Sequence, residues 1–183
     1  MVATPSVRTS WARTTGFIYL LYFLTAIAAQ VLLNKRFTLT GNVTNFISIL
    51  LYVMLGILLY RLFQPSSRTL SLTAALFNFA GSTVMLTEMF RGGNAPVNPL
   101  IFFGAYCFLI GVLILRSAFL PRALGFLIAA AGLGWFVFLA PWHIRFLSVS
   151  MEILGFVSEA ALMLWLLVKG VNEQHWAEQT GER

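Results

Sequence analysis

The chain has no aspartate, one cysteine, two histidines and only 10% charged residues, and each shortage removes a class of protein. Cys107 alone excludes an intrachain disulfide and a CxxC redox or zinc motif. It stands in an apolar run, where a thiol packs as a small hydrophobe. All acid chemistry falls to six glutamates, and Glu173, Glu178 and Glu182 sit with His175 in a polar C-terminal stretch that reads as solvated. There is no nucleophile with an adjacent base, no glycine-rich phosphate loop and no internal repeat of the transporter type. Twelve Lys and Arg outnumber the acids, but they fall singly between apolar runs instead of forming a block, so nucleic acid is not an expected partner.

What the chain has in abundance is apolar surface. Hydrophobic residues make up 59% of its 183 positions, against about 45–50% in a soluble domain. A helix needs about 20 apolar residues to cross a bilayer. Six runs qualify, at 16–33, 45–63, 70–90, 97–115, 123–141 and 146–168. The breaks "NKRFTLTGNVT", "QPSSRT", "RGGNAPVNP", "RSAFLPR" and "PWHIR" hold turn formers, prolines and most of the charges. The expected fold class is therefore all-α, a polytopic transmembrane helical bundle of six spans with short loops and antiparallel neighbours. A cytoplasmic segment 1–15 precedes the transmembrane domain 16–170, and a loose, polar cytoplasmic tail 171–183 follows it. The first run is longer than a signal-peptide core and is followed by Lys35 and Arg36, so it reads as a span.

Orientation follows from the cations. Arg8, Arg13, Arg61, Arg68, Arg116, Arg122, Lys169 and Arg183 fall on one side of an even-span protein, and Lys35, Arg36, Arg91 and Arg145 on the other. Positive charge favours the cytoplasm, which puts both termini there. Trp11, Trp142, Trp165 and Trp176 stand near the expected span ends, where amphipathic rings prefer the interface, and Lys169 is placed to snorkel to the headgroups. Gly125, Ala129 and Gly132, with Ala130 and Gly134 beside them, give the fifth span a face that lets another helix approach closely.

The stretches "RTTGFIYLLYFLTAIAAQVL", "GILLYRLFQPSSRTLSLTAALF", "GVLILRSAFLPRALGFLIAAAGLGWF" and "SEAALMLWLLVKGVNEQHW" resemble a bacterial six-helix membrane family catalogued as domain of unknown function 4386. The sharpest pieces are "LRSAFLPRALG" and "LWLLVKGV". The resemblance implies six spans and a bacterial inner-membrane setting, and implies no activity. The Gly-Glu pair it implies in the last helix is Ser158-Glu159 here, and the histidine it implies near Tyr106 is absent.

Glu159 is the residue that composition does not explain, a carboxyl within "GFVSEAALMLWLLVKGV". A charged group at the bilayer centre costs at least about 2.5–3.5 kcal/mol on insertion scales, so this side chain must face the bundle interior and be protonated or partnered. Helical spacing places Ser148, Glu152, Gly155, Glu159 and Leu162 on one face of the sixth span, and Asn78, Gly81, Met85 and Glu88 on one face of the third. Glu88 and Glu152 then share the outer half, while Asn78 and Glu159 lie near the midplane. Gln30, Asn34, Asn45, His143 and Arg145 gather at the outer rim. The candidate ligand-binding set is Glu159, Glu152, Glu88, Asn78, His143 and Arg145.

Two uses of these groups are open. One is interhelical glue, with Glu159 donating to Asn78 or to a backbone carbonyl. The other is an outward-opening polar cavity floored by Glu159. Glu88 and Arg91, one turn apart, suit a simple ion pair. His143, Glu88 and Glu152 lie on different spans with no ligand-spacing motif, so neither metal nor cofactor is expected. Three functions are compatible with this reading: binding or passage of a small or lipophilic ligand, glutamate acid–base chemistry on a lipid or isoprenoid, and a scaffold whose acids serve packing alone. Membrane lipids are the expected partners, and the oligomeric state is left open.

Overall fold

The computed structural model describes residues 7–91, 97–139 and 145–180. Every regular element among the described residues is a helix, with no strand. The order is α1 (Val7–Asn34), α2 (Thr38–Phe63), α3 (Arg68–Phe90), α4 (Leu100–Arg116), α5 (Arg122–Trp135), a 3-10 turn (Phe136–Leu139), α6 (Arg145–Val168) and α7 (Glu173–Thr180). α1, α2, α3 and α6 are long and apolar enough to cross a membrane, and α4 and α5 are shorter apolar helices. α5 covers about 21 Å at 1.5 Å per residue, short of a hydrocarbon core of about 30 Å. The fifth expected run continues as a single 3-10 turn, a tightening common at helix ends.

Each of the first six helices packs on its neighbour in sequence, and α6 closes the ring against α1. The tightest seams are α1 with α2 and α4 with α5. The small-residue face anticipated on the fifth span is the reason for the second. A Cβ at Gly132 would collide with the Phe108 backbone N and lie 2.8 Å from the Gly104 carbonyl, and one at Gly111 would collide with the Ala129 backbone N. In lipid no hydrophobic drive pushes helices together, so this backbone proximity and the dispersion contacts that come with it hold α4 on α5.

The seam between α1 and α6 is closed at one end only by such contact. A Cβ at Gly16 would stand 2.5 Å from the Leu167 backbone N. Toward the other end the two helices are bridged by the Phe23 and Phe156 rings, with centroids 5.2 Å apart.

The distribution of polarity is inverted relative to a water-soluble bundle. Large apolar residues face outward on every long helix, Phe146 at 82%, Leu39 at 80% and Phe90 at 76% exposure among them, while Asn78, Ser82, Ser158 and Glu159 are buried. Exposed apolar area on this scale needs an apolar surrounding. Ser158 fills the inward position beside Glu159 and spends its hydroxyl on the Gly155 carbonyl at 2.9 Å, so no orphan donor results.

The tail departs from expectation. Gly170, at φ 70°, stops α6 in the left-handed conformation, with its N–H on the Trp165 carbonyl at 3.0 Å. Asn172 then caps α7, its Oδ1 accepting from the Gln174 and His175 N–H groups. The Asn172 N–H bonds the Phe119 carbonyl, Trp176 Nε1 donates to the Leu62 carbonyl at 3.2 Å, and Ser66 donates to Gln179. Residues 173–180 are thus a docked helix. The amphipathic "NEQHWAEQ" looks merely polar in composition, but its one large ring finds the core. Trp176→Ala is expected to lower stability by about 1–2 kcal/mol, the usual scale for a lost half-buried contact, read as a lower melting temperature in detergent and faster proteolysis at the C-terminus.

Candidate functional site

Glu159 stands near the middle of α6, 6% exposed, and its Oε2 accepts a hydrogen bond from the Tyr19 hydroxyl of α1 at 3.1 Å. The partner is therefore Tyr19. Asn78, the expected candidate, instead donates from Nδ2 to the Tyr52 carbonyl at 3.2 Å across the α2–α3 seam. Sequence reasoning passed over Tyr19 because a tyrosine in an apolar run reads as an aromatic. The available signal was its position, a hydroxyl well inside the first span.

Around this pair lies a cluster of aromatic rings. Tyr22 and Tyr52 have centroids 5.1 Å apart, and Tyr106 meets Tyr52 edge-on at 5.7 Å. The Tyr52 and Tyr106 hydroxyls and the Asn78 Oδ1 are buried with no hydrogen-bond partner among the described residues. A buried hydroxyl left unpaired costs about 1–3 kcal/mol, so two neighbouring ones in an apolar bundle need a reason.

A cavity of about 360 Å³ has Glu159 on its lining and is enclosed by side chains of α1 and α6 together with Tyr52 of α2, Met85 of α3, Phe103 of α4 and Trp135 of α5. Phe23, Tyr52, Phe103 and Trp135 form its walls. At its mouth stand Ile27 and Phe156, about half exposed, and the exposed Glu152. Glu152 and Glu159, two turns apart on α6, thus share one cavity, as their spacing implies. A second cavity of about 210 Å³ shares Tyr22, Tyr52 and Met85 with the first and reaches Gln30 and Asn45 at the polar rim between α1 and α2. Width at the first cavity depends on Gly155, where an added Cβ would lie 2.7 Å from Cζ2 of Trp135.

The other candidates sit elsewhere. Asn78 is 1% exposed within the α2–α3 seam and Glu88 is half-buried near the end of α3, and neither is among the residues lining these cavities. Glu88 forms no ion pair with Arg91, because α3 ends at Phe90 and Arg91 has left helical geometry. Arg145 is the first residue of α6. His143 lies outside the described residues.

Long apolar helices, an apolar exterior and polar groups turned inward define an integral membrane protein. Residues 96–170, from just before α4 through the end of α6, match the family described as Domain of unknown function (DUF4386), so the family reading made from the sequence motifs holds over that stretch. An uncharacterized protein of Archaeoglobus fulgidus is 29% identical over 155 residues, covering 80% of this chain and 94% of the relative. No solved structure matches the chain.

Proposed function

We propose that this protein binds a small lipophilic ligand bearing a hydrogen-bonding head, taken from the surrounding bilayer into the cavity above Glu159. The observation that carries the reading is one otherwise apolar cavity lined by both the buried acid Glu159 and Tyr52, whose hydroxyl is unpaired among the described residues. Pockets that recognise small molecules have this make-up, apolar walls with a few convergent polar groups. The mouth is bordered by exposed Ile27 and Phe156 on one hand and by the exposed carboxylate of Glu152 on the other, so the entrance lies where acyl chains meet the polar edge of the bilayer, and the Phe23–Phe156 ring pair stands in the doorway. The second cavity supplies an aqueous approach past Gln30 and Asn45.

The bundle sits in the membrane as six spans, α4 and α5 crossing with the help of their flanking turns, and both termini are cytoplasmic in a bacterial inner membrane. Among the described residues, seven cations at the end shared by the α1 start and the α6 end, against four at the other, support this orientation. The Glu159 cavity then opens in the outer leaflet. Acid–base chemistry on a lipid is a second reading, favoured by Glu152 and Glu159 lining the same cavity.

The test is native mass spectrometry with solvent extraction on the gently purified protein. A retained lipophilic molecule is expected in the wild type and is expected to be lost in Gly155→Leu, where the added side chain drives Trp135 into the cavity. A wild type that carries nothing beyond bulk phospholipid, or a Gly155→Leu variant that is folded and equally loaded, refutes the assignment. Recovery of the extracted molecule in altered form after incubation would select the enzyme reading.

A further inference from the structure

We propose that the opposite, basic end of the bundle holds a separate binding site for an anionic phosphate-bearing amphiphile, with Arg61 taking the phosphate. A cavity of about 370 Å³ lies there between the start of α1, the end of α2 and the docked α7. It shares no lining residue with the Glu159 cavity, and buried Tyr19, Leu55, Leu59 and Leu162 stand between the two levels of the bundle.

Its charge is of one kind. Arg61 lines the cavity, is exposed, and makes no ion pair among the described residues; its guanidinium carbon sits 5.8 Å from the Trp11 ring centroid. That stacking holds the planar fork in place while leaving its N–H groups to an acceptor, the arrangement that suits bidentate phosphate recognition. The Gln64 side chain, also on the lining, has no hydrogen bond among the described residues and offers a second donor. Other polar groups are already engaged: Thr15 donates to the Trp11 carbonyl and the Trp176 indole to the Leu62 carbonyl. Recognition of an anion therefore rests on Arg61, with Gln64 beside it.

The remaining walls select an amphiphile over a soluble anion. Leu58, Leu62, Val171 and the two indoles form a continuous apolar surface below the guanidinium. Trp11, 46% exposed, marks the depth at which headgroup meets acyl chain. Among the described residues the same end of the bundle gathers seven of the eleven cations, a field that draws anionic lipid to the site. α7 supplies one wall, so the site exists only because the tail folds back.

The test uses the full chain in detergent, titrated separately with phosphatidylglycerol, phosphatidylcholine and inorganic phosphate, and followed by thermal shift and native mass spectrometry. Phosphatidylglycerol is expected to raise the melting temperature and survive as a bound adduct, and phosphatidylcholine to bind several-fold more weakly. Arg61→Gln should weaken phosphatidylglycerol about fivefold, the usual weight of one cation near an anionic lipid, and Arg61→Lys, which keeps the charge but loses the stacked fork, should fall between Arg61→Gln and the wild type. Arg122→Gln removes an exposed cation at the same end but outside the cavity and should change nothing. Equal phosphatidylglycerol binding by wild type and Arg61→Gln overturns the proposal. So does inorganic phosphate protecting as well as the lipid, which would make this a site for a soluble anion. Should Arg61→Gln fail to fold, the wild-type preference for phosphatidylglycerol over phosphatidylcholine decides, and its absence overturns the site.

Discussion

Replacing Gly132 by alanine is expected to cost about 1–3 kcal/mol, and by leucine to prevent the bundle from assembling, because the added carbon meets backbone and not a side chain that could turn aside. The obstruction is the Phe108 N–H unit of α4, with the Gly104 carbonyl 2.8 Å away. Relief would require α4 and α5 to separate along their whole seam, which also opens the Gly111–Ala129 approach. Nothing in lipid compensates, since tails solvate a leucine as well as a neighbouring helix does. Gly134, on the adjacent stripe of α5, provides the contrast. Its added Cβ would meet the Met151 Sδ at 2.6 Å, the end of a flexible thioether, so Gly134→Ala should cost less than about 1 kcal/mol. Size-exclusion profiles and thermal melts in detergent should rank Gly132→Leu below Gly132→Ala, and that below Gly134→Ala. Equal behaviour of the two glycines would mean that close backbone approach does not hold this seam.

That ranking is half visible in the sequence. Glycine and alanine at the spacing of Gly125, Ala129 and Gly132 mark the face, but not which partner it receives. Likewise the six apolar runs anticipate the helices closely, since length and hydropathy are local properties. α5 is nonetheless shorter than a bilayer-crossing helix, because the glycines that allow close packing also weaken the helix near Gly132 and Gly134.

At the site, burial of Glu159 was legible because an acid amid lipid has few alternatives. Its partner was not legible. Choosing Tyr19 over Asn78 requires knowing that α6 closes on α1, and ring closure is a tertiary fact that no spacing encodes. Asn78 shows the same limit, since its spacing gave a shared face with Glu88 while the fold set that face against α2 and the Tyr52 carbonyl. The α7 latch was hidden for a different reason. Eight residues with one tryptophan carry too little periodicity to separate a docked helix from a solvated tail.

Glu159→Leu combined with Tyr19→Phe, which removes the hydroxyl that the leucine would orphan, is expected to raise the thermal stability of ligand-stripped protein while abolishing retention of the lipophilic molecule, and the direction of the first effect decides what the acid is for. An acidic side chain near the bilayer centre costs about 2.5–3.5 kcal/mol on insertion scales, whereas a hydrogen bond such as the one from Tyr19 averages about 0.6 kcal/mol in membrane proteins. Packing glue therefore fails to offset the transfer cost by about 2 kcal/mol. A leucine of similar bulk would restore that amount, as replacement of buried ionic groups by apolar ones often does. Tyr19→Phe, which removes only the donor, should lower stability slightly in the wild-type background and raise it beside Glu159→Leu, where the hydroxyl would otherwise stay buried with no oxygen to receive it. Stripped protein is needed because a bound ligand adds its own stabilisation and would mask the sign. If the double variant melts well below the wild type, the acid is a structural member of the α1–α6 seam, and the cavity above it is a packing gap. A higher melting point together with an empty cavity means the fold carries Glu159 at a net cost, and a residue held on those terms is explained by what it binds.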